Sequence, residues 1–136
     1  MKIVESWPPN IDSIRKVFTV NRGIVFAYGD TIYNPGGETL SGAVIAHEGV
    51  HETQQGDDVK GWWERYLVDA HFRFQQELEA HRMEYQVMIA SAPSRNFRRL
   101  ALSHVAKKLS APLYGVGGAG LVSFKRARDL LRTAAR

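Results

Sequence analysis

Residues 46–51 read Ala46-His47-Glu48-Gly49-Val50-His51, an H-E-x-x-H pattern inside a segment of helical habit from Leu40 to Gln54. No other stretch constrains the chain as strongly. Residues four apart on a helix lie one above the other, separated by about 6 Å of rise. Two imidazoles so placed converge on one Zn²⁺ without bending the backbone. Glu48 leans over the same edge, where its carboxylate can hold a water beside the metal. The plainer reading is an amphipathic helix with two partly buried histidines. A second signal downstream favours the metal.

That signal lies in a long helical segment expected from about Trp62 to Ile89. Its apolar stripe runs through Trp63, Leu67, Ala70, Phe74, Leu78, Tyr85 and Met88. At about 100° per residue, Glu77 and His81 fall in or at the edge of that stripe, and Glu79 falls roughly opposite. An inward carboxylate needs a partner, because burying it alone is very costly. An arginine, or His81 alone, would serve. With His47 and His51 upstream, Zn²⁺ is the expected partner and His81, one turn on, a supporting donor. The expected metal ligands are therefore His47, His51 and Glu77, with Glu79 as the alternative third.

The chain around these segments reads as α+β, mostly helical, with a small hairpin ahead of the metal helix. Pro8-Pro9 keeps a short lead extended. A helix is expected over Ile11 to Thr19, capped by Asn10 or Asp12, with Ile11, Ile14, Val17 and Phe18 inward. Gly23 to Tyr28 reads as a strand, Gly29-Asp30 as a turn, and Thr31-Ile32-Tyr33 as the return strand. Gly56 is placed to end the metal helix. Ser91-Ala92-Pro93-Ser94 breaks the long helix. Arg95 to Leu109 resumes it, with Phe97, Leu100, Ala101, His104, Val105 and Leu109 available for burial. Residues 110–120 form a glycine-rich loop holding Tyr114. It is no phosphate cradle, since no G-K-S/T end follows and no strand precedes it. A last helix is expected over Val122 to Leu131.

Composition narrows the class. The 136 residues suffice for one domain, 1–136, and one core. The absence of cysteine excludes a disulfide scaffold and a thiolate metal site. The first nine residues lack the apolar run of a signal peptide, and no stretch is long and apolar enough to span a bilayer. The expectation is a soluble, cytoplasmic protein without membrane contact. Residues 95–136 carry ten of the 18 basic residues and only one of the 14 acidic ones, Asp129. Such a segment can make weak contact with anionic partners, nucleic acid among them. A solvated helix face is the plainer reading, as no nucleic-acid-binding signature accompanies it.

Three stretches together resemble the compact gluzincin-type zinc metallopeptidases of bacteria and their phages. They are the hairpin Ala27–Tyr33, the helix segment from Ala46 to Gln55 with its trailing glutamines, and Gln76-Glu77-Leu78-Glu79-Ala80-His81. The last resembles the E-x-x-A-D segment that supplies the family's third ligand, with His81 where the family has Asp. The resemblance implies a minimal zincin-like fold, helices around a small sheet, with the site in the cleft between sheet and second ligand helix. It also implies zinc-dependent endopeptidase activity on a peptide or protein substrate. Glu48 is then the general base beside water activated by zinc. A further donor to the oxyanion is expected among Tyr114, Tyr66, His71 and His104. A substrate could add as a strand to the hairpin edge. Two other classes stay open: a non-catalytic, zinc-stabilised interaction module, and a nucleic-acid-associated protease using the basic C-terminal third.

Overall fold

The computed structural model describes residues 1–92, 94–115 and 120–133. The architecture is α+β and mostly helical, with a three-stranded sheet ahead of the H-E-x-x-H helix. The hairpin pairs β2 (Phe26–Tyr28) antiparallel with β3 (Thr31–Tyr33), Ala27 opposite Ile32. Gly29 turns the chain between them at φ +61°, a conformation that favours glycine. A strand not expected from sequence, β1 (Lys2–Val4), lies parallel to β3 on its other side, giving the order β1-β3-β2. Three residues before a Pro-Pro pair are too short a run to announce a strand.

The first helix, α1 (Ile11–Arg15), is shorter than the expected Ile11 to Thr19. Val17 and Phe18 both donate their N–H to the Ile14 carbonyl, which closes the helix early, and Val17 is left exposed rather than inward. The strand expected from Gly23 likewise starts later. Asn21 draws the Gly23 N–H to its side chain and the Ile24 N–H to its carbonyl, holding both residues in a turn.

The H-E-x-x-H helix, α2 (Gly42–Gln55), begins where Ser41 accepts a hydrogen bond from the Val44 N–H and ends at Gly56, at φ +55°. The long helix expected from Trp62 to Ile89 is two helices, α3 (Val59–Val68) and α4 (Ala70–Ala90). Asp69 makes the break. Its backbone is extended and its carboxylate accepts from the Phe72 N–H at 3.0 Å, capping α4. Aspartate competes for backbone donors in this way, so it favours a cap over a helix interior. The apolar stripe traced from Trp63 into α4 therefore changes direction at Asp69. Within α4 the buried side chains are Arg73, Glu77, Ala80, His81, Glu84 and Tyr85, a largely polar face.

Helix α5 (Arg95–Leu109) buries Ala101, Leu102, Val105, Ala106 and Leu109. Phe97, Leu100 and His104, expected to be available for burial, are exposed. The small side chains of Ala101 and Ala106 let α5 fit closely between α4 and α6 (Phe124–Thr133). One apolar cluster joins α4, α5 and α6 around Val105, Leu109 and Leu131. A second joins the sheet, α1 and α3 around Ile14, Phe26, Trp62 and Trp63. Of the expected glycine-rich loop, Pro112–Tyr114 form a 3₁₀ turn, while residues 116–119 lie outside the described residues, as does Pro93. Among the described residues no helix is long and apolar enough to cross a membrane.

Candidate metal centre

Helices α2 and α4 pack against each other and meet through polar side chains. From α2, the helical spacing turns His47, Glu48, His51 and Gln55 inward together. From α4, it turns Arg73, Glu77, His81 and Glu84 inward at successive turns. Glu77 stands between the histidines. Its Oε1 is 3.3 Å from His47 Nε2 and its Oε2 is 3.2 Å from His51 Nε2. Glu79 is exposed and touches the site only through Gln54. The structure thus brings Glu77, and not Glu79, to the two histidines.

The other ring nitrogen of each histidine is occupied. His47 Nδ1 lies 2.9 Å from Glu84 Oε1, and His51 Nδ1 lies 2.8 Å from Gln54 Oε1. Gln54 is itself fixed by donating to the Gln76 carbonyl and to Glu79. With both Nδ1–H groups donated outward, both Nε2 atoms face Glu77. Tyr66 donates its hydroxyl to Glu77 Oε2 at 2.6 Å, while Glu77 Oε1, fully buried, has no aligned hydrogen-bond donor. A buried carboxylate oxygen without an aligned donor is costly unless a cation, a protonated imidazole or a metal ion, stands beside it.

The residues fit zinc. His47, His51 and Glu77 offer two nitrogens and one oxygen, all buried, with the ligand atoms within 4.8 Å of one another. Tetrahedral bonds of about 2.0–2.1 Å separate neighbouring ligand atoms by about 3.3–3.4 Å, close to the two contacts that Glu77 makes, one through each carboxylate oxygen. A second group, His47, His81 and Glu84, also lies within that distance. There Glu84 Oε1 sits 2.9 and 3.0 Å from the two Nδ1 atoms, lengths of ordinary charge-assisted hydrogen bonds. We read this second group as support for His47.

Taken by themselves, the two imidazoles are shifted toward holding protons. Burial would lower the His47 pKa, but hydrogen bonds to Glu77 and Glu84 outweigh it and raise the pKa to about 10. His51 is raised as well; burial opposes this, and the Glu77 charge and hydrogen bond overcome it. Glu77 is held well below the usual carboxylate range: burial pushes it up, and the two imidazoles pull it further down. Glu48 moves the other way, its pKa raised chiefly by burial, with His47 and His51 opposing. A carboxylate with a raised pKa beside two imidazoles is suited to accept and return a proton.

Glu48, His47, His51, Glu77, Tyr66 and Tyr114 share the wall of a cavity of about 80 Å³. Aliphatic and aromatic side chains from α1, the residues leading into β2, and α3 line the rest, Ile14, Phe18, Ile24 and Trp62 among them. Trp62 packs its ring against His51, centroids 5.3 Å apart.

Of the four oxyanion candidates, the structure places Tyr114 and Tyr66 at the site. His71 is exposed against Gln75 and His104 is exposed on α5. Tyr114's hydroxyl is 3.2 Å from His81 Nε2. Burial, with Glu77 adding, pushes that hydroxyl's pKa well above the ordinary tyrosine value, so it stays a donor. His81, expected as the supporting partner, hydrogen-bonds Glu84 and Tyr114, and its Nε2 lies 3.7 Å from Glu77 Oε1.

Sequence reasoning missed two residues here. Glu84 supports His47, and its Oε2 takes Lys108 Nζ from α5 at 2.6 Å. Its signal was present: it lies seven residues after Glu77 and three after His81, on one helix face. Arg73 is the other, one turn before Glu77. The expected strand addition at the hairpin also meets an obstacle. The Ala27 carbonyl on the outer edge of β2 already accepts from Gln55 Nε2 and Trp63 Nε1, and the Gly29 N–H donates to Gln55 Oε1.

Comparison of the chain with protein-family models, with curated proteins and with solved structures finds no significant match.

Proposed function

We propose that the protein is a zinc-dependent peptidase whose site is built from His47, Glu48, His51 and Glu77. One observation supports the reading: Glu77 lies between two imidazole Nε2 atoms, and its buried Oε1 faces His47 Nε2 at 3.3 Å with no aligned hydrogen-bond donor. Zinc, held by His47, His51 and Glu77, would supply a Lewis acid that lowers the pKa of water and polarises a carbonyl.

The remaining work falls to the chain. Glu48 takes the proton from the attacking water and returns it to the leaving amine, a role suited to its raised pKa. Tyr114 donates its hydroxyl toward the oxygen that gains charge. Tyr66 and Glu84 hold Glu77 and His47 in register. The apolar cavity beside Glu48 receives a side chain of the substrate and excludes water around it. Since the β2 edge is taken at Ala27, this side-chain contact, rather than extended strand pairing, fixes the scissile bond.

The test is metal analysis of the purified protein with a broad peptide-library assay, before and after chelation. One zinc per chain and cleavage that is lost on chelation and restored by zinc support the reading. Bound zinc without cleavage of any peptide would instead favour a non-catalytic, zinc-stabilised module.

A further inference from the structure

Arg73 is 3% exposed, and among the described residues no carboxylate pairs with it. Burying a guanidinium costs heavily unless its donors are satisfied. Arg73 spends them on carbonyls: Nη1 donates to Tyr66 at 2.7 Å and reaches Leu67 at 3.5 Å, and Nε donates to Tyr114 at 3.0 Å. Its cation lies 5.1 Å from the Phe18 ring centre and 5.8 Å from that of Tyr66. An apolar side chain would fill this space without that cost. What the arginine adds is a set of donors in a rigid plane, aimed at two fixed points.

Those two points are the backbones of the two tyrosines whose hydroxyls enter the site. Tyr66 reaches Glu77 and Tyr114 reaches His81. Tyr114 ends a three-residue 3₁₀ turn, and its N–H donates to the Ala111 carbonyl, three residues back, at 3.3 Å. Its long-range ties come from one face of α4: Arg73 holds its carbonyl and His81, eight residues on, holds its hydroxyl. Glu77 sits between these two on the same face.

We infer that Arg73 is a positioning residue, which fixes Tyr114 over the metal centre by holding its carbonyl, and Tyr66 likewise. The kinetic consequence rests on the peptidase reading; the placement itself does not. The chain has five tyrosines, so 3-fluorotyrosine labelling gives a ¹⁹F spectrum in which each is seen. Arg73→Gln should shift the Tyr114 and Tyr66 resonances and leave those of Tyr28, Tyr33 and Tyr85 in place. Arg73→Lys keeps the buried charge but cannot span both carbonyls, and it carries the same test if the glutamine variant does not fold. An unmoved Tyr114 resonance, or equal movement of all five, overturns the placement.

On a peptide that the wild type cleaves, Arg73→Gln should retain zinc and lower kcat about tenfold to a hundredfold, with KM within about twofold. Added to Tyr114→Phe, it should lower kcat by clearly less than it does alone, since part of its effect runs through the Tyr114 hydroxyl and the rest through Tyr66. Fully additive losses overturn the inference. A wild type that cleaves nothing refutes the peptidase reading, while the fluorine spectra still decide whether Arg73 places Tyr114.

Discussion

Glu84 Oε1 lies 2.9 Å from His47 Nδ1, and the same oxygen lies 3.0 Å from His81 Nδ1. One carboxylate thus fixes the orientation of the imidazole whose Nε2 faces Glu77 and of the imidazole that meets Tyr114. Glu84, three residues after His81 on α4, is the carboxylate that supports His47. Removing such a partner typically weakens metal affinity by about 10- to 100-fold. Glu84→Gln should show that loss in a chelator-competition titration, with His51 and Glu77 still in place. Unchanged affinity would remove Glu84 from the site.

Glu77 and Glu79 are two residues apart on α4 and face different surroundings. Glu77→Gln should lose tight zinc binding. Glu79→Gln loses an exposed contact with Gln54 and should change zinc affinity by less than about threefold. Elemental analysis after dialysis separates them, and the opposite pattern would place the ligand on the other face of α4.

Zinc uptake should release protons. With its pKa raised to about 10, His47 of the zinc-free chain is protonated at neutral pH, and His51 is shifted in the same direction. A metal on Nε2 has to displace such protons, so affinity rises as pH rises and falls as pH falls. Titration calorimetry in two buffers of different ionisation enthalpy counts them at pH 7. Release of at least about one proton per zinc is expected; none released at pH 7 would mean that the imidazoles are already neutral.

Much of the site was legible because helical spacing is local. The i, i+4 histidines and the inward phase of Glu77 follow from 3.6 residues per turn, and both appear in the structure. Gly56 and the Gly29-Asp30 turn were marked by residue types with local backbone roles. What escaped depended on competition or distance. Asp69 could serve a helix interior or a cap, and only the packing of α3 and α4 decides it. Strand β1 exists because residues 2–4 meet β3 some thirty positions later. Phe97, Leu100 and His104 shared a face with Ala101, and small side chains won the buried side because α5 lies close to α4 and α6. Glu84 and Arg73 were overlooked because charged residues on an inward face look like interruptions of an apolar stripe until their partners are known.

The most direct measurement is peptide cleavage by Glu48→Gln beside its zinc content. The glutamine keeps the size of the side chain and one acceptor but removes the basicity. Glu48 is not among the three side chains that could hold the metal, so zinc should stay at one per chain and the melting curve should match wild type. Cleavage should fall by at least about a hundredfold, the scale of a lost general base. Glu48→Gln cleaving as fast as wild type, with zinc fully bound, would contradict the account.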